Sequence, residues 1–224
     1  MSDGNVTPLF PGRERGARER LAAAQDQVIV EGGDDAASEA SADEEAVPAG
    51  KLRLPIRITR LEMRAAPTTA APPPHGQRVG LLRLREVPTA FYRFLFDGVG
   101  REHHWRLPED QTEAELHAWL NSPDCEVHVL YVGGAPAGFF EIDLSDRRRA
   151  VSLSCFGILP HARGRGLARW FLAEAVRAAW AHAPPRVRIQ TNNHDSPIAL
   201  RLYQAAGFEV TGVTQGYLIV EEER

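Results

Sequence analysis

A strand-like segment, a loop rich in glycine and arginine, and an amphipathic helix follow one another between residues 151 and 182 of this 224-residue chain. Gly164 and Gly166 lie in the loop, where glycine allows close approach of the backbone to a ligand. The first N–H groups of a helix have no partner within it and lie at the positive end of its dipole, so they favour an anion. Arg163 and Arg165 add charge suited to a phosphate or pyrophosphate. This order of elements predicts an α/β domain with an anion site at the start of the helix.

Two common nucleotide-binding motifs do not fit this loop. The phosphate loop ends in Gly-Lys-Ser or Gly-Lys-Thr, whereas Leu167 and Ala168 follow Gly166 here. The dinucleotide fingerprint fails as well, because the spacing is Gly-x-Gly-x-Ala and the preceding strand does not open the domain. Neither motif therefore explains the loop.

Two motifs together resemble the GNAT family of N-acetyltransferases. The loop matches the family's Arg/Gln-x-x-Gly-x-Gly/Ala motif at Arg163, Gly166 and Ala168. Residues 196–208 are similar to the family's late helix, whose Tyr-x-x-x-Gly-Phe ending begins here at Tyr203. The two motifs occur in the family's order and at its separation, which makes the pair more specific than either motif alone.

The resemblance covers roughly residues 85–220 and implies the acyl-CoA N-acyltransferase fold. This α/β (α+β) fold has a mixed, mostly antiparallel central sheet of about six to seven strands, flanked by helices, in which one parallel pair splays apart. The residue pattern agrees, because the strand, helix and strand between residues 151 and 191 imply a right-handed crossover and a parallel pair. Residues 126–132 and 137–144, joined at Gly133-Gly134, predict a β-hairpin.

The chain is predicted to contain three segments. Residues 1–50 hold 11 acidic residues against 4 arginines and predict a disordered acidic N-terminal extension. Residues 51–79 predict a strand and a Pro-rich linker that precede or join the core sheet. Residues 80–224 form the acetyltransferase domain that the resemblance implies.

The sequence makes specific predictions for the first and the last predicted strands of the chain. In the strand after residue 50, a one-residue slip in the apolar alternation predicts a bulge near Thr59-Arg60, and Pro55 predicts a sheet edge. At the other end, residues 208–211 and 217–220 predict an antiparallel pair that closes the domain.

Composition sets expectations for compartment and partners. No run of 18 apolar residues is present, and the N-terminus lacks the basic start and apolar core of a secretory signal. Cys125 and Cys155 match no metal spacing and are expected to be buried free thiols. We therefore expect a cytoplasmic monomer or homodimer with no metal and no membrane contact. The small positive balance of residues 51–224 and the lack of an aromatic and basic stripe argue against nucleic acid.

The resemblance also implies a co-substrate, acetyl-CoA, lying between the splayed strands. Its pantetheine arm would pair with the backbone of Phe156, Gly157 and Ile158, and Asn193 is a further candidate contact. The residues that look like the pyrophosphate-binding set are Arg163, Gly164, Arg165, Gly166, Leu167 and Ala168.

Acetyl transfer to an amine requires two proton movements. A primary amine, whose pKa is about 10.4, must lose a proton before it attacks. The departing thiolate, whose thiol has a pKa of about 8.5, must gain one. By resemblance, Tyr203 is the general acid. Many relatives carry a glutamate base on the strand before the loop, where this chain has Ser152 and Ser154. Glu141 is the first choice of base, because burial between Phe140 and Ile142 would raise its pKa; a histidine or a water chain is the fallback.

Alternatives stay open both for Glu141 and for the function of the whole protein. Strand alternation equally allows Glu141 to lie on a solvated face. The favoured function is an N-acetyltransferase acting on a primary amine of a small molecule or peptide. The alternatives are a non-catalytic acyl-CoA-binding module of the same fold and a nucleotide- or nucleic-acid-binding domain built on the Arg-rich loop.

Overall fold

The computed structural model describes residues 29–30, 51–68, 71–108 and 110–221. Its strands are β1 (Ile29–Val30), β2 (Lys51–Met63), β3 (Val79–Arg83), β4 (Cys125–Val132), β5 (Ala135–Asp143), β6 (Val151–Ile158), β7 (Val187–Asn192) and β8 (Glu209–Glu221). Its α-helices are α1 (Thr89–Gly100), α2 (Glu113–Leu120), α3 (Leu167–Trp180) and α4 (Ala199–Ala205). Short 3₁₀ turns occupy Arg101–His103 and Pro160–Ala162.

All the described strands belong to one sheet, in the order β1-β8-β2-β7-β6-β5-β4-β3. Every neighbouring pair is antiparallel except β6 and β7, which are parallel. The predicted mixed, mostly antiparallel sheet is therefore confirmed, with seven strands of five residues or more and the two-residue β1 at one edge.

The parallel pair splays apart after a short contact. β6 and β7 pair only from Val151↔Val187 to Leu153↔Ile189, and the carboxyl-terminal halves of both strands diverge beyond this point. The predicted splay is confirmed, and it opens a gap in the middle of the sheet where backbone groups lack a strand partner across it.

Helices cover both faces of the sheet. Successive residues of β5 enter different apolar clusters: Phe139 packs in the cluster that contains the buried residues of α1 and α2, and Phe140 packs in the cluster of α3 and α4. Because side chains of a strand alternate between faces, these clusters lie on opposite sides of the sheet. The thiols of Cys125 and Cys155 are buried, as predicted.

The β4–β5 hairpin follows directly from its glycines. Gly133 and Gly134 have φ angles of 61° and 91°, a backbone conformation that favours glycine and matches the twist of the flanking strands. Helix α2 begins with a capping box in which Thr112 and Glu115 exchange hydrogen bonds.

Strand β2 lies in the interior of the sheet, between β8 and β7. The predicted bulge is present, as a register shift between Arg60 and Leu61. The edge predicted from Pro55 is wrong for the strand as a whole, but the half that contains Pro55 pairs only with β8, because β7 begins to pair at Ile58. A missing N–H is tolerated there since one side of this half carries no ladder.

The C-terminal hairpin predicted from residues 208–220 is wrong. Residues 209–221 form the single strand β8, which pairs along its length with β2, and a register shift opposite Arg60/Leu61 takes up the irregularity. Most of the predicted extension at residues 1–50 lies outside the described residues; Ile29 and Val30 pair with β8.

Candidate active site

A cleft of about 650 Å³ occupies the gap between the splayed ends of β6 and β7. Ser154 and Phe156 line it from β6, and Thr191 and Asn192 line it from β7. The other walls come from the loop before α3, from α4, from the turn that follows α1, and from β2 and β8. Ligand sites in open sheets lie at the carboxyl ends of parallel strands, so the position of this cleft follows from the topology.

The glycine loop forms one border of the cleft. Gly164 and Gly166 have φ angles of 74° and 72°, and a Cβ atom built at either position would meet nothing within 4 Å. The backbone conformation favours glycine at both positions, and the space above the loop is open. Gly166 is the N-cap of α3, so Leu167 and Ala168, which line the cleft, carry the first N–H groups of that helix.

The β6 wall of the cleft is held close to α1. Phe156, Gly157 and Ile158 all line the cleft. A side chain at Gly157 would overlap Cγ1 of Val99, a buried residue of α1 that also lines the cleft. Glycine at position 157 therefore allows α1 to approach the diverging end of β6.

Tyr203 of α4 lines the cleft and is 6% exposed. Burial raises the pKa of the Tyr203 phenol, and the negative charge of the nearby Asp195 carboxylate raises it further. The phenol consequently stays protonated throughout the neutral range. A protonated O–H in a cleft can donate a hydrogen bond or a proton to a developing anion.

Glu141 of β5 is buried at 1% exposure, which excludes a position on a solvated face. Its carboxylate accepts hydrogen bonds from Tyr92 Oη at 2.7 Å, from Ser154 Oγ at 2.9 Å and from Trp119 Nε1 at 3.4 Å. Burial raises the pKa of Glu141, and the hydrogen bonds from Tyr92 and Ser154 oppose this effect without cancelling it. The carboxyl group lies behind Ser154 and does not itself line the cleft.

A turn at residues 102–105 connects the two loops at the mouth of the cleft. Glu102 forms an ion pair with Arg163 of the glycine loop. Trp105 Nε1 donates a hydrogen bond of 3.1 Å to Asp195 Oδ1, in the loop after β7. His103 Nδ1 lies 2.9 Å from the carbonyl oxygen of His194 in the same loop. These contacts hold the glycine loop, which follows β6, at a fixed distance from the loop that follows β7.

Two predicted cofactor contacts, Arg165 and Asn193, do not line the cleft. Arg165 is exposed, and its carbonyl oxygen accepts a 2.9 Å hydrogen bond from Gln77 Nε2. The Asn193 side chain joins β2, where its Oδ1 accepts from the backbone N–H of Arg57 at 2.6 Å. The neighbouring Asn192 is the asparagine that lines the cleft.

Sequence reasoning missed several residues that line the cleft. These include Ser154 and Asp195, together with the apolar side chains Ile56, Ile58, Trp105 and Leu218. Asp195 follows a predicted strand at its carboxyl end, and that position is the one signal in the sequence that marks it. Ile56, Ile58 and Leu218 come from β2 and β8, whose place beside the cleft depends on pairing between distant segments.

The described residues contain neither a metal-binding cluster nor a membrane-spanning helix. No group of three or more His, Cys, Asp and Glu side chains in the described ranges is arranged to hold a metal ion. None of the described helices combines the length and the apolar character needed to cross a membrane.

A family model, the acetyltransferase (GNAT) family, matches residues 81–208. The chain belongs to the GNAT family. The match ends at Phe208, so it includes the glycine loop and the helix of Tyr203 but neither β2 nor β8. Membership of the GNAT family confirms the resemblance that the two sequence motifs predicted. No curated protein sequence matches the chain.

Solved structures of GNAT proteins share the fold at low sequence identity. A GNAT-family protein from Novosphingobium aromaticivorans is 16% identical, with a TM-score of 0.50 over 80% of this chain and 70% of that one. A GCN5-related N-acetyltransferase from Sphaerobacter thermophilus is 18% identical, with a TM-score of 0.50 over 75% and 54% of the two chains. One from Kribbella flavida is 16% identical, with a TM-score of 0.50 over 78% and 61%. This GNAT chain therefore spans between 54% and 70% of the length of these structures.

Proposed function

We propose that this protein transfers the acetyl group of acetyl-CoA to a primary amine of a small molecule or peptide by direct attack. The observation that carries the proposal is the cleft between the splayed strands, which has a glycine loop and a helix N-terminus at its border and the protonated Tyr203 inside. Acetyl-CoA supplies the activated thioester when it is bound.

The residues present fit this co-substrate. The open space above Gly164 and Gly166, the first N–H groups of α3 and the nearby Arg163 and Arg169 suit a pyrophosphate. β7 supplies no strand partner to β6 beyond Leu153, so the backbone at Phe156 to Ile158 is positioned to pair with the amide groups of a pantetheine arm.

A base for the amine is available through Ser154. Ser154 donates its hydroxyl hydrogen to Glu141, which leaves the lone pairs of Oγ for a donor in the cleft. In this proposal the attacking amine gives one proton to Ser154 Oγ as Ser154 passes its own proton to Glu141 Oε1. The raised pKa of Glu141 brings this carboxylate nearer to the neutral range, where a general base is most effective.

In this proposal Tyr203 completes the reaction as the general acid. Its O–H donates to the sulfur as the C–S bond breaks, so the thiol leaves in its neutral form. The second proton that the nitrogen loses as the amide forms then restores the Tyr203 phenol. The oxygen of the tetrahedral intermediate would be met by a backbone N–H between Phe156 and Ile158, where β6 has no partner in β7.

Calorimetry with acetyl-CoA tests the first half of the proposal. Wild-type protein is expected to bind acetyl-CoA, and Gly166→Asp is expected to lose binding, because a carboxylate at the loop repels the pyrophosphate and the φ of 72° strains any side chain. Gly80→Asp is the matched control, since a Cβ at Gly80 of β3 also meets nothing within 4 Å and this glycine does not line the cleft. Absence of binding to wild type would overturn the proposal.

An amine panel with a readout of thiol release tests the second half. Turnover with at least one amine is expected. A protein that binds acetyl-CoA, shows no turnover with any amine and binds equally well as Tyr203→Phe would instead be the non-catalytic acyl-CoA-binding module of the same fold.

A further inference from the structure

Asp195 is a carboxylate in the cleft that has only neutral donors around it. Its Oδ2 accepts from Thr191 Oγ1 at 2.8 Å and from the backbone N–H of Asn192 at 2.9 Å, while Oδ1 accepts from Trp105 Nε1 at 3.1 Å. No ion pair joins Asp195 to a cation within the described part of the chain. The side chain is therefore held in one orientation with its negative charge unbalanced.

The two arginines that line the cleft lie where the pyrophosphate is proposed to bind. Arg163 pairs with Glu102, and Arg163 and Arg169 both lie on the glycine loop and the start of α3, where the pyrophosphate is proposed to bind. Asp195 lies in the loop after β7 and contributes to the electrostatic environment of Tyr203. An unpaired carboxylate beside the proposed general acid suits a positively charged group of the second substrate.

Apolar side chains line the cleft that contains Asp195. Trp105, whose indole N–H bonds to this carboxylate, lines the cleft together with Ile56 and Ile58 of β2. A charge in a site of low polarity attracts an opposite charge more strongly than the same pair in water, and the apolar walls favour an apolar body attached to that charge.

We propose that Asp195 receives the ammonium group of the acceptor, and that the acceptor is a cationic amine with an apolar body next to the charge. This inference rests on the proposed acetyl transfer and names the acceptor class for the same cleft. A primary amine with a pKa near about 10.4 enters the cleft as an ammonium ion. Asp195 binds and orients that ion, and the proton that the amine must lose leaves through Ser154.

Benzamidine and benzamide are suitable probes, because they have nearly the same shape and only benzamidine is cationic. Binding of each to the full chain saturated with CoA is measured by calorimetry, with no acetyl group present and hence no reaction. In wild type we expect benzamidine to bind at least about tenfold more tightly than benzamide, the difference typical of a charge-assisted hydrogen bond. Asp195→Asn should abolish this preference, whereas Asp146→Asn, in the exposed turn between β5 and β6, should keep it.

The comparison of benzamidine with benzamide binding in wild type tests the inference even where Asp195→Asn does not fold. Equal binding of the two probes, or no binding of benzamidine, overturns the inference, as does a preference that survives in a folded Asp195→Asn variant. The same samples separate this result from the proposed function: acetyl-CoA binding with no preference for benzamidine refutes only the role of Asp195. Failure to bind acetyl-CoA refutes the proposed function itself.

Discussion

Ser154 Oγ lies 2.9 Å from Oε1 of Glu141, and of these two residues only the serine lines the cleft. A bulge produces this arrangement: Glu141 pairs with Cys155 and Ile142 pairs with Leu153, so Ser154 is the extra residue of β6. Bulges reorient a side chain locally. The buried carboxylate is thereby connected to the cleft through one hydroxyl group.

Replacing Ser154 with alanine tests this connection. Ser154→Ala is expected to lower kcat by about 10²-fold or more, because the proton path to Glu141 is lost. Ser152→Ala makes the same change in the same strand, at a residue that does not line the cleft, and should retain wild-type kcat. Steady-state rates with acetyl-CoA and an active amine measure both. Equal rates for the two variants would rule out a path through Ser154.

Glu141→Gln should change how stability depends on pH. The pKa of Glu141 is raised in the folded state, so its protonated form is favoured there; the associated stability is present at low pH and is lost as the pH rises through the folded pKa. Glutamine carries no charge and escapes this loss. We therefore expect the free energy of unfolding of the variant to improve relative to wild type as the pH rises above about 4.3, the ordinary pKa of a glutamate, measured by urea denaturation. A stability difference between the variant and wild type that does not depend on pH would contradict the raised pKa of Glu141.

The same variant should lose most of its turnover and the acid limb of its pH–rate profile. A limb at low pH reports protonation of a required base. Retention of that limb in Glu141→Gln would assign the base to another group.

Tyr203→Phe removes one oxygen atom from a buried ring. Turnover is expected to fall by about 10²-fold or more with little change in acetyl-CoA binding, because the lost O–H acts on the departing sulfur rather than on the ground state. Tyr131→Phe, at the partly buried end of β4, is the control and should behave as wild type. Acetyl-CoA affinity by calorimetry and thiol release provide the two readouts. A parallel loss of affinity would indicate a binding role.

Gly157→Ala tests the close packing of α1 against β6. The added methyl group overlaps Cγ1 of Val99, and overpacking of this kind costs about 1–3 kcal/mol of unfolding free energy. Val99→Ala removes the overlapping atom, so the double variant should be more stable than the sum of the two single effects predicts. Urea denaturation of the three variants measures the coupling. If the effects of the two single substitutions on the free energy of unfolding simply add, the overlap is relieved by a shift of groups other than Val99.

Local patterns predicted much of the fold because they depend on neighbouring residues. The bounds of β6 at residues 151–158 agree with the apolar run, and Gly133-Gly134 specified the β4–β5 turn. The single strand β8 was not predictable in the same way. Gly212 and Gly216 interrupt its pattern and suggest a turn, whereas pairing with β2 along the whole strand overrides that local preference.

The parts of the candidate site that a motif specifies through backbone geometry were predictable from the sequence. The parts that depend on the pairing register of neighbouring strands were not. The glycines of the loop have the positive φ angles that their motif requires. The burial of Glu141 was left open because alternation distinguishes a polar face only when that face meets solvent, and here helices cover both faces. The exposure of Ser154 to the cleft depends on a bulge between β5 and β6, which neither strand reveals alone.

The place of β2 between β7 and β8 has a consequence for biosynthesis. Ile58 of β2 and Leu218 of β8 both line the cleft, although β2 precedes nearly every other described element and β8 follows all of them. Contacts between such distant segments form slowly, and an unpaired strand edge invites aggregation. While the chain is being made, β2 keeps an open edge until β8 leaves the ribosome, so the nascent protein cannot assemble the complete cleft before β8 has been synthesised.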